Sequence, residues 1–336
     1  MIVRITCKEP VVKWKSLPIL AQESYIKVKS DEYGWFDSDC YVMPYYIEQR
    51  LIFRRLVLPF GPIQKSEGHS NEKQKDFFDS CLKLLLDRKI IKCDYLSQPQ
   101  SNVVLPFKPG FGTVVPWGSY IIDLTRSEDE IFTSFHSKHK NVIRKAAKDG
   151  IVVDRNADYH EVWQNICDTL RRQKVYPPQL SYYQKLVDNV PNNVAFYTCK
   201  LDGMIQGSAV VVYDSDFAYY MYGGSVARPS TGSVNLLQFE IMKDMKQKGV
   251  KEYDMVGART IYEEESKFAG IQRFKSRFAS ELKQGYILRM IICPLKYKLF
   301  LLCVKFAGIM KGFNYSDSID DILKLMKERN LSIDDL

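Results

Sequence analysis

The last third of the chain sets the strongest limit on its fold. Residues 217–222 read Phe-Ala-Tyr-Tyr-Met-Tyr, an aromatic strand ended by Gly223-Gly224. An amphipathic helix is predicted over 233–248, with Val234, Leu237, Ile241 and Met245 on one face and Gly249 closing it. A strand follows at 251–256, then Phe274-Lys275-Ser276-Arg277-Phe278. The order strand, helix, strand, helix, strand calls for helices laid on a mixed sheet. It also leaves one lysine, Lys275, in apolar company near its end.

The segments before it extend the pattern. Ile151–Arg155 reads as a strand, and helices are predicted over 159–173 and 180–189. Tyr176-Pro177-Pro178 forces an extended bend between them. Val194–Lys200 and Met204–Tyr213 join the aromatic strand as an antiparallel set, with turns at Leu201-Asp202-Gly203 and Asp214-Ser215-Asp216. A single helix is expected over 127–150. Ser127 and Glu130 fit a capping box, Ile131, Phe135, Val142 and Ala146 mark its apolar face, and Gly150 ends it. The other face carries Lys138, Lys140, Arg144, Lys145 and Lys148, either as a solvated surface or as one that tracks phosphates.

Residues 1–126 read as mixed strand and helix. Helices are expected at 24–30 and 73–88, strands at 40–47, 51–58, 90–95 and 120–124. Pro59–Pro62 forms a turn, and 64–73 and 110–118 are loops. At the other end, Pro294–Phe313 is apolar but interrupted by lysines 296, 298, 305 and 311. It is too short and too charged to span a bilayer. It reads either as a helix packed on the main fold or as one lying in a membrane interface. A small polar helix with an acidic end is expected after it.

Composition narrows the chemistry. A length of 336 residues suits two domains, and the 21 tyrosines suit polar pockets. A net charge of +8 favours anionic partners without choosing among them. The eight cysteines form no C-x-x-C pair, so free thiols and a cytoplasmic setting are expected. The four histidines form no metal-binding cluster, so no metal site is expected. No apolar stretch follows Arg4 and Lys8, so no signal peptide is read. No G-x-S-x-G elbow or Walker loop occurs.

Several fragments, in order over about residues 15–290, resemble the FemABX-type aminoacyltransferases, peptidyltransferases of cell-wall precursors within the N-acetyltransferase-like (GNAT) superfamily. They are Gln22–Lys27, Phe60-Gly61-Pro62, Ile122–Thr125, Ser137–Ala146, Tyr220–Ser225, Tyr253–Gly257 and Phe274–Phe278. The resemblance implies a mixed α/β fold of tandem GNAT-like domains, 1–126 and 127–293, the latter including its linking helix, with a helical tail at 294–336. It implies that an acceptor amine attacks an activated acyl ester. Lys275 would stabilise the oxyanion, Asp94 would be a carboxylate beside the acceptor, and Lys27 would meet acceptor phosphates. Tyr182 and Tyr222 would line the acceptor groove. Tyr220, Arg228, Asn235, Tyr253, Phe274 and Arg277 complete the expected substrate-binding set.

The cofactor expectation turns on Arg228–Ser233. Coenzyme A binders carry a glycine-rich loop there, whose amides cradle a pyrophosphate. Here the sequence is Arg-Pro-Ser-Thr-Gly-Ser, with one glycine displaced, the other missing and a proline that has no N–H. No cofactor is therefore expected, and charged tRNA is favoured over coenzyme A as donor. The acceptor would be a nucleotide- or lipid-linked glycan precursor, with a peripheral membrane contact through 294–313 as an added reading. The alternatives are an acyl-CoA- or acyl-carrier-dependent N-acyltransferase of an amino sugar, and a non-catalytic binding module.

Overall fold

A computed structural model describes residues 2–12, 16–66, 71–87, 90–97 and 103–333. Parts of the expected loop (67–70), Arg88 at an expected helix end and the last three residues lie outside that set. The first half contributes β1 (Arg4–Thr6), α1 (Glu23–Lys29), β2 (Tyr33–Asp37), β3 (Tyr41–Arg50), β4 (Phe53–Val57), β5 (Ile63–Gln64), α2 (Asn71–Leu86), β6 (Tyr95–Ser97) and β7 (Thr113–Asp123). The second half begins with α3 (Glu128–Ser134), α4 (Ser137–Lys148), β8 (Val152–Asp154), α5 (Tyr159–Arg172) and α6 (Leu180–Asn189). It continues with β9 (Val194–Leu201), β10 (Met204–Tyr213), β11 (Phe217–Ser225), α7 (Ser233–Gln247), β12 (Glu252–Asp254), α8 (Lys267–Ser276) and β13 (Glu281–Ile291). Helices α9 (Pro294–Lys311) and α10 (Ser318–Glu328) form the tail.

One sheet runs through both halves, in the order β1-β2-β3-β4-β6-β13-β7-β12-β11-β10-β9-β8, with β5 on β3. Its seam is β13, antiparallel to β7 over Glu281–Arg289 and to β6 over Arg289–Ile291. Separate apolar cores lie against the sheet. One, around Phe77, Phe78 and Leu82, belongs to α2. Another, around Leu237, Ile241 and Met245, belongs to α7. A third, around Tyr25, Ile166 and Tyr183, joins α1 to α5 and α6.

Three expectations are corrected. The helix read over 127–150 is two helices. The capping box at Ser127 forms, but the chain turns extended at Phe135, and His136 restarts it by accepting Lys138 N–H through Nδ1 at 3.2 Å. In α4 the inward residues are His139, Ile143 and Ala146 rather than Val142. The strand read at 90–95 is β6, starting at Tyr95, because the Asp94 side chain caps Arg54 N–H instead. The loop read at 110–118 is mostly β7, which carries Pro116 and Gly118 within it. Pro116 is tolerated because β12 reaches β7 only at Ile121–Asp123, so the proline is paired on the β13 side alone.

Candidate active site

Strands β11 and β12 are parallel neighbours for three residues only, from Phe217–Tyr219 against Glu252–Asp254. Past that point they part. On β11, Met221 bulges, since Val210 pairs with Tyr222 and Val211 with Tyr220. On the other side the chain after β12 enters the left-handed region at Val256 (φ 48°) and Gly257 (φ 68°). A β-branched residue there costs of order 1–3 kcal/mol, so its surroundings must hold it.

Lys275 supplies that hold. It projects from the last turn of α8 and is only 8% exposed. Its Nζ donates to the carbonyls of Val256 at 2.5 Å and Gly257 at 2.7 Å. An ammonium has three donors, so one N–H is left over among the described contacts. Burial pulls the Lys275 pKa down to about 8, against the pull of the Asp254 charge. Asp254 ends β12, and its Oδ1 accepts from Ser119 Oγ on β7 and from Val256 N–H at 2.7 Å. Burial pushes its pKa up to about 6, opposed by those hydrogen bonds and by Lys275. Two groups titrating on either side of neutrality beside a parted strand pair are suited to proton or oxyanion chemistry.

Behind Lys275, two of the distant motifs meet. The Phe274 carbonyl lies 3.0 Å from Nε2 of His139 on α4, and the Arg277 carbonyl accepts from His136 N–H at 2.9 Å. Rings of His139, Phe274 and Phe278 pack together there.

A groove of about 880 Å³ opens between α1, α6, β11 and α9. It is lined by Lys29, Arg50, Arg55, Lys185 and Lys311 against the single acid Glu48. Arg55 pairs with Glu48 at 2.7 Å. Lys29 Nζ donates to Tyr182 Oη at 2.8 Å, and Tyr182 meets Tyr222 edge to face. Burial lowers the Lys29 pKa, raises that of Tyr182 and pushes Tyr222 up to about 12. The hydroxyls thus stay protonated at neutral pH, and the groove presents donors and positive charge to an anionic, polar ligand.

Of the residues singled out in the sequence, Tyr182 and Tyr222 lie in this groove, and Lys275, Phe274 and Arg277 lie at α8. Lys27 does not join them. It points outward and pairs with Glu23 at 2.8 Å, while Lys29, one face round the helix, enters the groove. Asp94 is buried at the β4–α9 junction, where it accepts from Arg54 N–H at 3.0 Å and meets Lys296 Nζ at 3.3 Å. It is not among the groove's lining residues. Tyr220 and Tyr253 pack on the α7 side of the sheet, where Tyr253 Oη donates to Gln238 at 2.8 Å. Arg228 is exposed in the β11–α7 loop and Asn235 half-buried in the first turn of α7. Lys29, Arg55, Ser119 and Asp254 were not picked out as site residues. Tyr25 and Lys29, four apart on one helix face, carried a signal for the first.

The β11–α7 loop is folded onto itself. Ser230 N–H donates to Gln206 Oε1 at 2.9 Å, Val226 N–H to the Gln206 carbonyl and Ser233 N–H to the Ser230 carbonyl. Gly232 (φ 81°) caps α7, and a Cβ there would lie 2.1 Å from the Val142 carbonyl oxygen of α4. Two amides of the 228–233 stretch that would cradle a pyrophosphate, those of Ser230 and Ser233, are thus already bonded within the protein.

Residues 133–275 match a family model described as an acetyltransferase (GNAT) domain. The sequence matches no curated protein. Among solved structures, the chain is similar to FemX, with a TM-score of 0.60 and 14% identity over 84% of this chain and 94% of that one. It is also similar to the C-terminal domain of a putative lysylphosphatidylglycerol synthetase from Agrobacterium fabrum, with a TM-score of 0.50 and 15% identity over 81% and 87% of the two chains. These are likenesses of fold. The architecture is mixed α/β with tandem GNAT-like halves, and the resemblance to the FemABX type within the GNAT superfamily holds at that level.

Proposed function

We propose that the chain is an amide-forming transferase that moves an aminoacyl or acyl group onto an amine of a cell-wall or surface-glycan precursor. The observation that carries this reading is Lys275, a buried ammonium with a spare N–H held against the left-handed turn that follows β12. The match of residues 133–275 to an acetyltransferase domain supports acyl transfer. A neutral acceptor amine attacks the ester carbonyl carbon, and a C–N bond forms. Lys275 donates a hydrogen bond to the resulting oxyanion. The C–O bond to the donor then breaks, the amine's proton passes to solvent or to the leaving oxygen, and an amide remains. The Tyr-lined basic groove takes the acceptor's anionic part.

The donor in this reading is aminoacyl-tRNA. The bonded amides of the β11–α7 loop argue against a coenzyme A pyrophosphate in that place. Helix α4 leaves Lys138, Arg144, Lys145 and Lys148 exposed, which suits a polyanionic donor. A second reading, acyl-CoA- or acyl-carrier-dependent N-acylation of an amino sugar, is favoured by the acetyltransferase match itself. The test is transfer by purified protein from labelled aminoacyl-tRNA against labelled acetyl-CoA, each with a pool of cell-wall and lipid-linked precursors. Transfer from tRNA alone supports the first reading, transfer from acetyl-CoA the second, and transfer from neither refutes both donors.

A further inference from the structure

Helix α9 has two unlike faces. Tyr297 and Phe300 pack inward against Phe53 and Tyr95, and Val304, Gly308 and Lys311 turn to the groove. The outward face carries Leu295, Leu299, Leu302, Phe306 and Ile309, at alternating spacings of four and three. Leu295 is 83% exposed, Phe306 67% and Ile309 81%. Exposed Leu51 and Ile52, in the β3–β4 turn, extend this surface, since Lys296 Nζ reaches the Ile52 carbonyl at 3.3 Å. A contiguous apolar stripe of this kind marks an interaction face.

Charge decides what covers it. The helix holds Lys296, Lys298, Lys305 and Lys311 and no acidic residue. Lys298 and Lys305 are one heptad apart and flank the stripe. A second copy packed antiparallel on the same stripe would set lysine against lysine with no carboxylate between them. An anionic bilayer surface satisfies both features, taking the apolar side chains below its headgroups and pairing Lys298 and Lys305 with phosphates, while Lys296 stays with Asp94 and Lys311 faces the groove. No helix among the described residues is long and apolar enough to cross a membrane.

We propose that α9 is a membrane-surface anchor that seats this protein flat on an anionic lipid bilayer. The inner face of the same helix lines the groove, so the groove's rim is then held beside the headgroups. The inference stands on this surface and does not depend on the transfer chemistry.

Flotation of the full chain with phosphatidylcholine vesicles, with and without 30 mol% phosphatidylglycerol (about a third anionic lipid), tests it. Binding to the anionic vesicles is expected, at least roughly tenfold tighter than to the neutral ones and falling with added salt. Lys298→Gln with Lys305→Gln lowers it about 25-fold, at about fivefold per lysine. Leu302→Ser, Phe306→Ser and Ile309→Ser together abolish it, with an unchanged circular dichroism melt. Failure of the folded wild type to float overturns the proposal, as does floating that neither variant weakens. A dimer seen by light scattering, dissociated by the serine variant without any vesicle binding, assigns the face to a second copy and overturns it too. Transfer to a soluble acceptor is measured alongside and is expected to be equal in the serine variant, which keeps the two readings separable.

Discussion

Replacing Lys275 by methionine removes an ammonium and keeps most of the side chain's volume. In the folded chain the Lys275 pKa falls from 10.5 to about 8, so holding its charge there costs about 3 kcal/mol. Methionine relieves that cost. It also strips donors from the Val256 and Gly257 carbonyls, at about 1–3 kcal/mol each. The two effects nearly cancel, and Tm is expected to move by only a few degrees. The rate does not share in that cancellation. Loss of one oxyanion donor costs about 3–4 kcal/mol of barrier, a drop of about 10²–10³ in kcat with KM little changed. Transfer kinetics at saturating donor and a thermal melt of the same sample measure both. A kcat within about threefold of wild type would refute the oxyanion role, and Lys275 would be only the clamp of a left-handed turn. The pH dependence has a definite sign. Because the folded pKa lies below the unfolded one, the burial penalty is full below about pH 8 and fades as pH rises toward 10.5. Wild-type stability gains over that range, and the methionine variant lacks the gain.

Asp254→Asn keeps an oxygen for Ser119 and Val256 N–H, so it should fold. The folded pKa of Asp254, about 6, lies above the ordinary 3.8, so wild-type stability falls from this group as pH rises from about 4 to 6; denaturant titrations across that range should find the asparagine variant flatter. Losing the carboxylate also moves the Lys275 pKa further down, which a shifted limb in the activity profile would report. Lys29→Ala should raise KM for an anionic acceptor at least roughly tenfold, as loss of one charged hydrogen bond predicts, while Lys27→Ala leaves it within about threefold. Gly232→Ala forces a Cβ into the Val142 carbonyl at a positive φ and should destabilise by more than about 2 kcal/mol in urea unfolding, loosening α4 from α7.

The second half was the more legible in sequence, because its helices and strands each keep one clean period. Helices α5, α6 and α7 and strands β9, β10 and β11 fall where spacing placed them, and the tail helix does too. The first half hid the start of β7, whose Pro116 and Gly118 look like loop punctuation until the parting of β12 from β7 explains them, while its end was legible as the strand at 120–124. The break at Phe135-His136 was hidden for another reason. It is enforced from α8, 135 residues away, where His136 and His139 find their partners. Asp254 and Ser119 carry no local signal, since only the sheet brings β7 and β12 together. The groove was half legible. Tyr182 and Tyr222 were marked by family resemblance, but Lys29 had to be told from Lys27 by which side of one helical turn is buried.

Strand β13 sits in the middle of the sheet although it follows every other described strand in the chain. A ribosome building this chain therefore releases β6 and β7 with bare backbone edges, and they stay bare until residues 281–291 arrive to fill the slot between them. Until then the polypeptide is two unfinished ribbons that a neighbouring nascent chain could also complete. Its yield in a cell is then expected to depend on how quickly β13 is delivered, and on what shields those edges in the meantime.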